Sequence, residues 1–204
     1  PDKDYTSRLS PHLALGEISP LTIWQATHAK MSEGDINDSA GDKFLSEVAW
    51  REFSCSLLFY NCTLPEKPLR EAFAGYPWRN DKDGLTAWQN GKTGYPIVDA
   101  GMRQLWRTGW MHNRVRMVVG SFLVKNLLLD WRKGAKWFWD CLLDADFAAN
   151  TASWQWVSGS GADAAPYFRI FNPITQGEKF DADGAYVKKW CPELKGVPDK
   201  YIHQ

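Results

Sequence analysis

Apolar side chains recur at helical spacing in several long stretches of the chain, and this pattern predicts an all-α fold. Helices are expected over residues 12–30, 43–61 and 111–129, with another that Gly109 ends and an amphipathic one over 130–144. Strand signals are few, because no alternating run is bounded by hairpin turns. No internal repeat is visible, and a length of 204 residues allows one large domain or two small ones.

Capping residues, Gly and Pro set the expected boundaries of these helices. Ser10 is a good N-cap for the first helix, and Pro11 fits its first turn. Residues 31–42 are polar and contain Gly and Asp, so we expect a loop there. Residues 62–96 contain four prolines and are expected to be mostly loop or short helix. The Gly-Lys-Thr at 91–93 lacks the full spacing of a phosphate-binding P-loop.

The predicted helix over 43–61 carries two different faces. Its core face is expected to consist of apolar residues near helical spacing: Phe44, Val48, Leu57 and Leu58. The other face places a tryptophan between a carboxylate and a guanidinium: Glu47, Trp50, Arg51 and Ser54. Such a cluster is usually a surface salt-bridge group, and the residues alone leave that interpretation open.

The predicted helix over 111–129 also has two faces. Its core face is expected to hold Val118, Phe122 and Leu123. A second stripe consists of Asn113, Arg116, Met117 and Gly120. These four are too polar for simple packing and too small for a typical solvent-exposed face. The stripe therefore suits a wall against a flat ligand.

Residues 142–173 hold the densest set of candidate functional side chains. In chain order they are Asp144, Asp146, Asn150, Trp154 and Trp156, followed by a Gly/Ser turn and a Tyr-Phe-Arg cluster at 167–169. No nucleophile lies beside a base in this stretch, which argues against a hydrolase. Carboxylates, an amide and large flat rings can hold a polar cofactor by its hydroxyls and offer π-systems for stacking.

Charge and aromatic content change this picture in two ways. Basic and acidic residues balance at 24 each, so any DNA-binding surface must be a local basic patch. The chain contains 12 Trp, 10 Phe and 7 Tyr, which suggests stacking or electron transfer as well as packing. An aromatic-rich helical core with neither role is the alternative that composition leaves open.

Cysteine and histidine spacing gives no sign of a metal site. The cysteines are Cys55, Cys62, Cys141 and Cys191. They form no C-x-x-C pair, which predicts free buried thiols in a reducing compartment. The histidines are scattered, and neither a signal peptide nor an apolar run of membrane-spanning length is present. The chain begins at Pro1 without a methionine and is interpreted as a fragment of a longer protein.

Four motifs resemble the flavin-binding core of the DNA photolyase/cryptochrome family: TSRLS at 6–10, SEVAWREF at 46–53, WMHNRVRM at 110–117 and ANTASWQWVSGSGADAAPYFRIFNP at 149–173. Within that family, the chain is most similar to the class I cyclobutane pyrimidine dimer photolyases. The resemblance covers essentially the whole chain. It implies that residues 1–204 form a C-terminal helical FAD-binding domain, with an N-terminal antenna domain and its chromophore missing from this chain.

The resemblance implies light-driven DNA repair. Photoexcited reduced FAD would pass an electron to a flipped-out pyrimidine dimer in single- or double-stranded DNA. The protein would be a monomer of the bacterial cytoplasm, associated with the nucleoid when bound to DNA and not with a membrane. A cryptochrome-type blue-light photoreceptor with the same flavin fold is the alternative. A helical binding module without flavin is a third possibility.

The resemblance assigns site residues of three kinds. The cofactor-binding set is Thr6, Ser7, Arg8, Leu9, Ser10, Phe44, Arg116, Asp144, Asp146 and Asn150. The substrate-binding set is Glu47, Trp50, Arg51, Asn113, Arg114, Met117 and Trp156. The catalytic set is Glu47, Asn150 and the tryptophan relay of Trp154, Trp131 and Trp78.

Several of these assignments carry specific roles. Residues 6–10 would contact the FAD phosphates, while the two aspartates would hold the ribose and adenine side and pair with Arg116. Asn150 favours repair, since plant photoreceptors tend to carry aspartate there. Arg51 and Arg114 are candidates for the flanking DNA phosphates.

Two expectations concern the remaining aromatic positions. Phe44 departs from the tryptophan that many family members carry near the flavin. The other tryptophans considered are expected to serve core packing: Trp88, Trp106, Trp137 and Trp139.

Overall fold

The computed structural model describes residues 1–3, 5–164 and 170–203, and within these ranges it contains helices but no strand. The predicted all-α class is therefore confirmed. The helices are α1 (Ser10–Ala14), α2 (Pro20–Ser32), α3 (Asp38–Tyr60), α4 (Lys82–Gln89), α5 (Pro96–Thr108), α6 (Asn113–Ser121), α7 (Trp131–Cys141), α8 (Phe147–Ser158), α9 (Pro173–Phe180) and α10 (Ala185–Trp190). Short 3₁₀ turns span Glu71–Phe73, Pro192–Leu194 and Asp199–Tyr201. The Tyr-Phe-Arg cluster at 167–169 lies outside the described residues.

The single helix expected over 12–30 is wrong, because the chain breaks there between α1 and α2. Gly16 adopts a left-handed φ of +74°, which glycine reaches without steric cost. Pro20 then begins α2, since proline is well suited to a first helical position. Ser19 is extended before it, and its hydroxyl accepts a hydrogen bond from the backbone N–H of Thr22 at 3.1 Å. A second helix, with its own N-cap, therefore begins inside the stretch that was predicted to be a single helix.

Two other boundaries also differ from expectation. Ser10 is the first residue of α1 rather than its N-cap, and Leu9 precedes it in a helical conformation with no side-chain capping bond. The loop predicted over 31–42 is shorter than expected, because α3 begins at Asp38. The side chain of Asn37 caps that helix by accepting from the N–H of Ala40. Capping residues thus mark both true starts, at Ser19 and Asn37.

Helix α5 confirms the expected turn, helix and glycine stop. Gly109 ends it in the left-handed region with φ +67°, and its N–H donates to the carbonyl of Leu105 at 2.8 Å. The preceding Gly-Lys-Thr turn folds around the buried carboxylate of Asp99. That carboxylate accepts from the N–H and hydroxyl of Thr93 and from the N–H of Gly94. The turn is therefore organised by a side chain of its own helix.

The helix expected over 111–129 begins and ends inside that range. His112 forms the N-cap of α6, since its Nδ1 accepts from the N–H of Arg114 at 3.1 Å. After Ser121 the chain continues as a π-helical turn, Phe122–Asn126, with the N–H of Leu127 donating to the carbonyl of Phe122 at 3.0 Å. Leu128 then takes a left-handed φ of +56°, which ends the run.

The core lies where α5 packs against α6 and α10, and where α8 packs against α3, α6 and α7. Its fully buried members include Trp88, Met102, Leu105, Val118, Leu123 and Tyr186. Trp88 donates its indole N–H to the carbonyl of Val119 at 3.0 Å, so its polar atom is satisfied. Packing was expected for four tryptophans and holds for Trp88 and for Trp137, which is partly buried against the core. It is wrong for Trp106 and Trp139, which are 69% and 49% exposed.

Gln155 ties an irregular segment to α8. Its side chain is fully buried, and its Nε2 donates to the carbonyls of Leu64 at 2.6 Å and Lys67 at 2.8 Å. Its Oε1 accepts from the N–H of Leu69 at 2.8 Å. One amide therefore satisfies three backbone groups of a segment that has no regular structure.

The cysteines are free, as predicted, but most are not fully buried. Cys191 is buried, Cys55 and Cys141 are partly exposed, and Cys62 is exposed. Burial raises the pKa of the Cys191 thiol to about 11, so it stays protonated at neutral pH. Within the described ranges, no cluster of His, Cys, Asp or Glu could hold a metal ion. None of the described helices is long and apolar enough to cross a membrane.

Candidate functional site

A cavity of about 500 Å³ opens between α3, α6 and α8. Its walls are the two stripes that the sequence singled out on α3 and α6, together with the start of α8 and the turn before it. The residues from the sequence assignment that line it are Glu47, Trp50, Asn113, Arg116, Met117, Asp144, Asp146, Asn150, Trp154 and Trp156. Residues from sequence positions more than 100 apart thus meet at one cavity.

An arginine–carboxylate pair forms the polar part of the cavity wall. The guanidinium of Arg116 donates to Oδ2 of Asp144 at 2.8 Å and, through Nε, to the carbonyl of Met111 at 2.7 Å. The side chain of Asp144 is only 3% exposed, and its Oδ1 has no hydrogen-bond partner among the described residues. A buried acceptor without a donor is costly. A ligand hydroxyl or N–H would satisfy it.

Asp146 is held differently from Asp144. Its Oδ1 accepts from the N–H of Ala149 and caps α8, while its Oδ2 pairs with the guanidinium of Arg51 at 3.2 Å. Arg51 also reaches the carbonyl of Leu13 at 3.5 Å. Its NH1 donates to the exposed carboxylate of Glu52 at 3.1 Å, and the expected contact of Arg51 with a flanking DNA phosphate stays a prediction. The Arg51–Asp146 pair fastens α3 to the start of α8.

Asn150 is oriented by the neighbouring helix. Its Nδ2 donates to the carbonyl of Ala135 on α7 at 2.9 Å. This bond leaves Oδ1 as the acceptor that the side chain can offer to a ligand, and Oδ1 has no partner within the described part of the chain. An amide cannot titrate, so it presents the same acceptor at any pH near neutrality.

Trp154 forms the apolar base of the cavity one turn after Asn150. Its ring is 2% exposed and lies edge-on to Phe138 at 5.0 Å and to Trp88 at 6.1 Å. The ring packs directly onto the backbone of α7, where Gly134 leaves room for it. A Cβ at Gly134 would overlap the Trp154 ring and lie 2.6 Å from Cδ2 of Leu123.

Gly134→Ala is therefore expected to displace the Trp154 ring and lower the free energy of unfolding by about 1–3 kcal/mol, the usual cost of overpacking a core. Thermal unfolding with near-UV circular dichroism measures both effects. Gly75→Ala is the matched control, because no atom of the described residues lies within 4 Å of a Cβ there. Equal melting temperatures and unchanged aromatic signals in the two variants would contradict the close packing of Trp154 on α7.

The opening of the cavity is aromatic. Trp50 and Phe53 lie edge to face with ring centroids 5.5 Å apart, and they are 49% and 44% exposed. Trp156 also lines the cavity and is half-buried, with its ring 6.2 Å from Phe171. The carboxylate of Glu47 pairs with Lys43 on the exposed side of α3 at 3.1 Å. Rings at an open cavity mouth offer flat surfaces for stacking.

The remaining assigned residues lie outside the cavity lining, at least within the described ranges: residues 6–10, Phe44, Arg51, Trp78, Arg114 and Trp131. Arg8 lies over the Trp110 ring at 4.7 Å, which places residues 6–10 near the start of α6. The guanidinium of Arg114 lies over the Phe180 ring at 4.6 Å. Trp131 is buried in the core at the start of α7, and Trp78 contacts Tyr76.

The structure therefore groups only part of the assigned relay. The ring neighbours shown for Trp154 are Trp88 and Phe138, not Trp131 or Trp78. Electron transfer along Trp154, Trp131 and Trp78 stays a prediction.

Sequence reasoning missed several lining or supporting residues, among them Phe53, Leu57 and Gly134. Phe53 lies inside the quoted SEVAWREF motif at i+3 from Trp50, and that spacing was the available signal. Leu57 was assigned to the core face of α3 but lines the cavity. Gly134 gave no local signal, because its importance depends on a ring that lies twenty residues further along the chain.

The N-cap of α6 makes the cavity wall sensitive to pH. Burial lowers the pKa of His112, and the positive charges of Arg114 and Arg116 act in the same direction. The unfolded chain takes up this proton near the ordinary pKa of 6.5, whereas the folded chain does so only at lower pH. Stability is therefore greatest above the unfolded pKa and is lost as the pH falls below it.

We expect the loss of stability at low pH to be smaller in His112→Asn, since asparagine keeps an N-cap acceptor that does not titrate. Urea unfolding at about pH 8 and about pH 5.5 measures the change in each protein. Wild type should lose more stability between the two pH values than the variant. An identical loss in both would show that protonation of His112 is not involved.

Comparison with known proteins agrees with this geometry. A family model described as the FAD binding domain of DNA photolyase matches residues 44–204. The deoxyribodipyrimidine photo-lyase of Agrobacterium fabrum is 58% identical over 204 residues, covering 100% of this chain and 42% of that protein. Cryptochrome-1 of Sinapis alba is 45% identical over 204 residues, covering 97% of this chain and 40% of its own length.

The same similarity is seen in three dimensions. The crystal structure of a bacterial class III photolyase from Agrobacterium tumefaciens aligns with a TM-score of 0.96 and 58% identity, over 100% of this chain and 42% of that chain. Because this neighbour is described as class III, the expected class I assignment stays a prediction. The chain spans about two fifths of the length of the curated relatives it matches.

Proposed function

Because the chain belongs to the DNA photolyase/cryptochrome family, we propose that it is the FAD-binding part of a light-driven deoxyribodipyrimidine photolyase. The observation that carries the proposal is the cavity itself. It combines the Arg116–Asp144 pair, an oriented amide at Asn150 and tryptophan rings both at its base and at its mouth. The family match supplies the expected cofactor, and these side chains fit it.

The fit rests on the unsatisfied atoms of the cavity. Oδ1 of Asp144 needs a donor, which a ribose hydroxyl or a ring N–H of FAD would provide. Arg116 places a positive charge beside it, which favours an anionic form of a bound group. When bound, reduced FAD supplies the electron that splits the dimer after it absorbs blue or near-ultraviolet light. Contacts of residues 6–10 with its phosphates, and of Phe44 with its ring, belong to this proposal.

The side chains at the cavity mouth would receive the lesion. A pyrimidine dimer must leave the duplex to enter, at a cost of roughly a few kcal/mol. Stacking on Trp50 and Trp156 would offset this by about 1–3 kcal/mol per base. Glu47, Asn113 and Met117 line the same space and complete the proposed contacts to the dimer. Damaged DNA is thus the proposed partner, bound by a monomer in the cytoplasm.

The test uses the full-length protein. Its visible absorption spectrum should show bound flavin, and illumination with blue light should restore normal thymines in an oligonucleotide that contains a thymine dimer. A dark incubation and an undamaged oligonucleotide are the controls. A colourless full-length protein, or repair that proceeds equally in the dark, would contradict the proposal.

A cryptochrome-type photoreceptor is the second candidate, since Cryptochrome-1 of Sinapis alba is 45% identical to the chain. Asn150 favours repair over this alternative, because the expectation for plant photoreceptors is an aspartate there. The same assay separates the two functions. A full-length protein that binds flavin, is chemically reduced and still leaves dimers intact under blue light would support the photoreceptor.

A further inference from the structure

A second cavity of about 610 Å³ lies between α4, α5, α10 and the turn that follows α10. It shares no lining residue with the first cavity. Its aromatic members are Trp106 and Trp190, and its charged members are Arg103, Arg107, Lys189 and Glu193. Nothing in the proposed repair function uses this set of residues.

Trp106 is a flat, rigid surface at this cavity. Its ring is stacked on Trp137 with centroids 5.6 Å apart and planes inclined by 9°, yet its side chain is 69% exposed. One face of the indole is therefore backed by a second indole, while the rest is open to solvent. A tryptophan held in this way is suited to stacking with the ring of a ligand.

The charges beside Trp106 favour an anion. Three cationic side chains line the cavity against the single carboxylate of Glu193. That carboxylate is engaged by Arg103, whose NH1 donates to it at 2.6 Å and whose Nε donates to the carbonyl of Gly91 at 2.9 Å. Arg107 has no ion-pair or hydrogen-bond partner in the described ranges, and Lys189 lies over the Trp190 ring at 5.6 Å. Two cations thus stay available for an anionic group.

The cavity wall also contains an unused donor. The indole Nε1 of Trp190 is buried and has no hydrogen-bond partner in the described part of the chain. A buried indole N–H normally finds a partner. The wall therefore offers a platform and two available cations, and it includes an indole whose N–H has no partner among the described residues.

We propose that this second cavity binds a nucleoside phosphate, with the base stacked on Trp106 and the phosphate held by Arg107 and Lys189. The chemistry is shared by a free mononucleotide and by one nucleotide of a single strand. The proposal is independent of dimer repair, because none of its residues lines the first cavity.

The experiment uses the full-length protein loaded with FAD and kept in the dark, so that the cofactor part of the first cavity is filled. Calorimetric titration compares adenosine monophosphate, adenosine and a short oligothymidylate. The monophosphate should bind, and adenosine should bind at least about tenfold more weakly because it lacks the group that the two cations hold. Equal binding of adenosine and the monophosphate, or binding of none of the three probes, would overturn the proposal.

The variants separate the two halves of the site. Trp106→Leu should weaken binding of the monophosphate at least about tenfold, as expected for the loss of one stacked base. Arg107→Gln should weaken binding of the monophosphate but leave the affinity for adenosine unchanged. Trp139→Leu is the matched control, since Trp139 is also an exposed tryptophan, at 49%, and lies outside the cavity. A loss in this control equal to that in Trp106→Leu would overturn the site.

The oligonucleotide arm identifies the source of the ligand. Binding of the oligothymidylate much more tightly than the monophosphate, with a steep dependence on salt, would identify a single strand as the ligand. Comparable binding of the two would identify the free nucleotide unit. Both results support the site, and both require the Trp106→Leu effect.

Discussion

Gln155→Leu is expected to lower the free energy of unfolding by about 2–4 kcal/mol, one of the two largest effects anticipated for a single substitution in this chain. The leucine has a similar size but removes the donors and the acceptor that satisfy Leu64, Lys67 and Leu69. Each buried backbone group left without a partner costs about 1–3 kcal/mol. The carbonyl of Lys67 and the N–H of Leu69 are only partly buried, so hydrogen bonds to water would offset part of that cost for them. Urea unfolding measures the loss.

Gln104→Leu is the matched control for this substitution. Gln104 is also a buried helical glutamine, but among the described residues its side chain makes one hydrogen bond, from the hydroxyl of Tyr186 at 2.6 Å. Its replacement should therefore cost less than that of Gln155. If both variants lose the same stability, the three-way bonding of Gln155 contributes nothing beyond ordinary burial.

Asp144→Ala is expected to abolish most flavin binding, with at least about a tenfold loss of FAD affinity. The substitution removes the acceptor that awaits a donor and leaves the guanidinium of Arg116 without its carboxylate. Removing one partner of a buried ion pair costs about 3–5 kcal/mol. For Arg116 we expect a cost near the lower end of this range, because its side chain is 24% exposed. The flavin absorbance per mole of purified full-length protein measures the effect.

Two further variants make this result specific. Asp140→Ala removes an exposed carboxylate from α7 and should keep full flavin occupancy. Asp144→Asn keeps an acceptor without its charge, so its occupancy should fall between wild type and Asp144→Ala. Full occupancy in a folded Asp144→Ala protein would place the cofactor elsewhere.

The walls of the first cavity could be predicted from sequence because they follow helical periodicity. Asn113, Arg116 and Met117 share a stripe at i, i+3 and i+4, and the structure keeps that stripe on one side of α6. The face of α3 with Glu47 and Trp50 follows the same rule. A side chain's direction from a helix is a local property, so a local pattern is enough to predict it.

Contacts between distant segments could not be predicted in this way. Arg51 and Asp146 are 95 positions apart, and no local pattern indicates that one pairs with the other rather than with DNA. The same holds for Trp106. Its apolar side chain at a helical position suggested core packing, but its ring stacks on a second indole and is otherwise exposed to solvent. Such contacts depend on how helices pack, and packing is set by the whole chain.

The bonding of Gln155 restricts how the loop after α3 can vary in length among related sequences. Loops usually tolerate insertions, because their ends can stay fixed while the middle grows. Here the side-chain amide of Gln155 hydrogen-bonds to the carbonyls of Leu64 and Lys67 and to the N–H of Leu69. A residue inserted between these positions would move at least one of the three groups beyond hydrogen-bonding distance. Insertions should instead accumulate at 33–36, the exposed connection between α2 and α3.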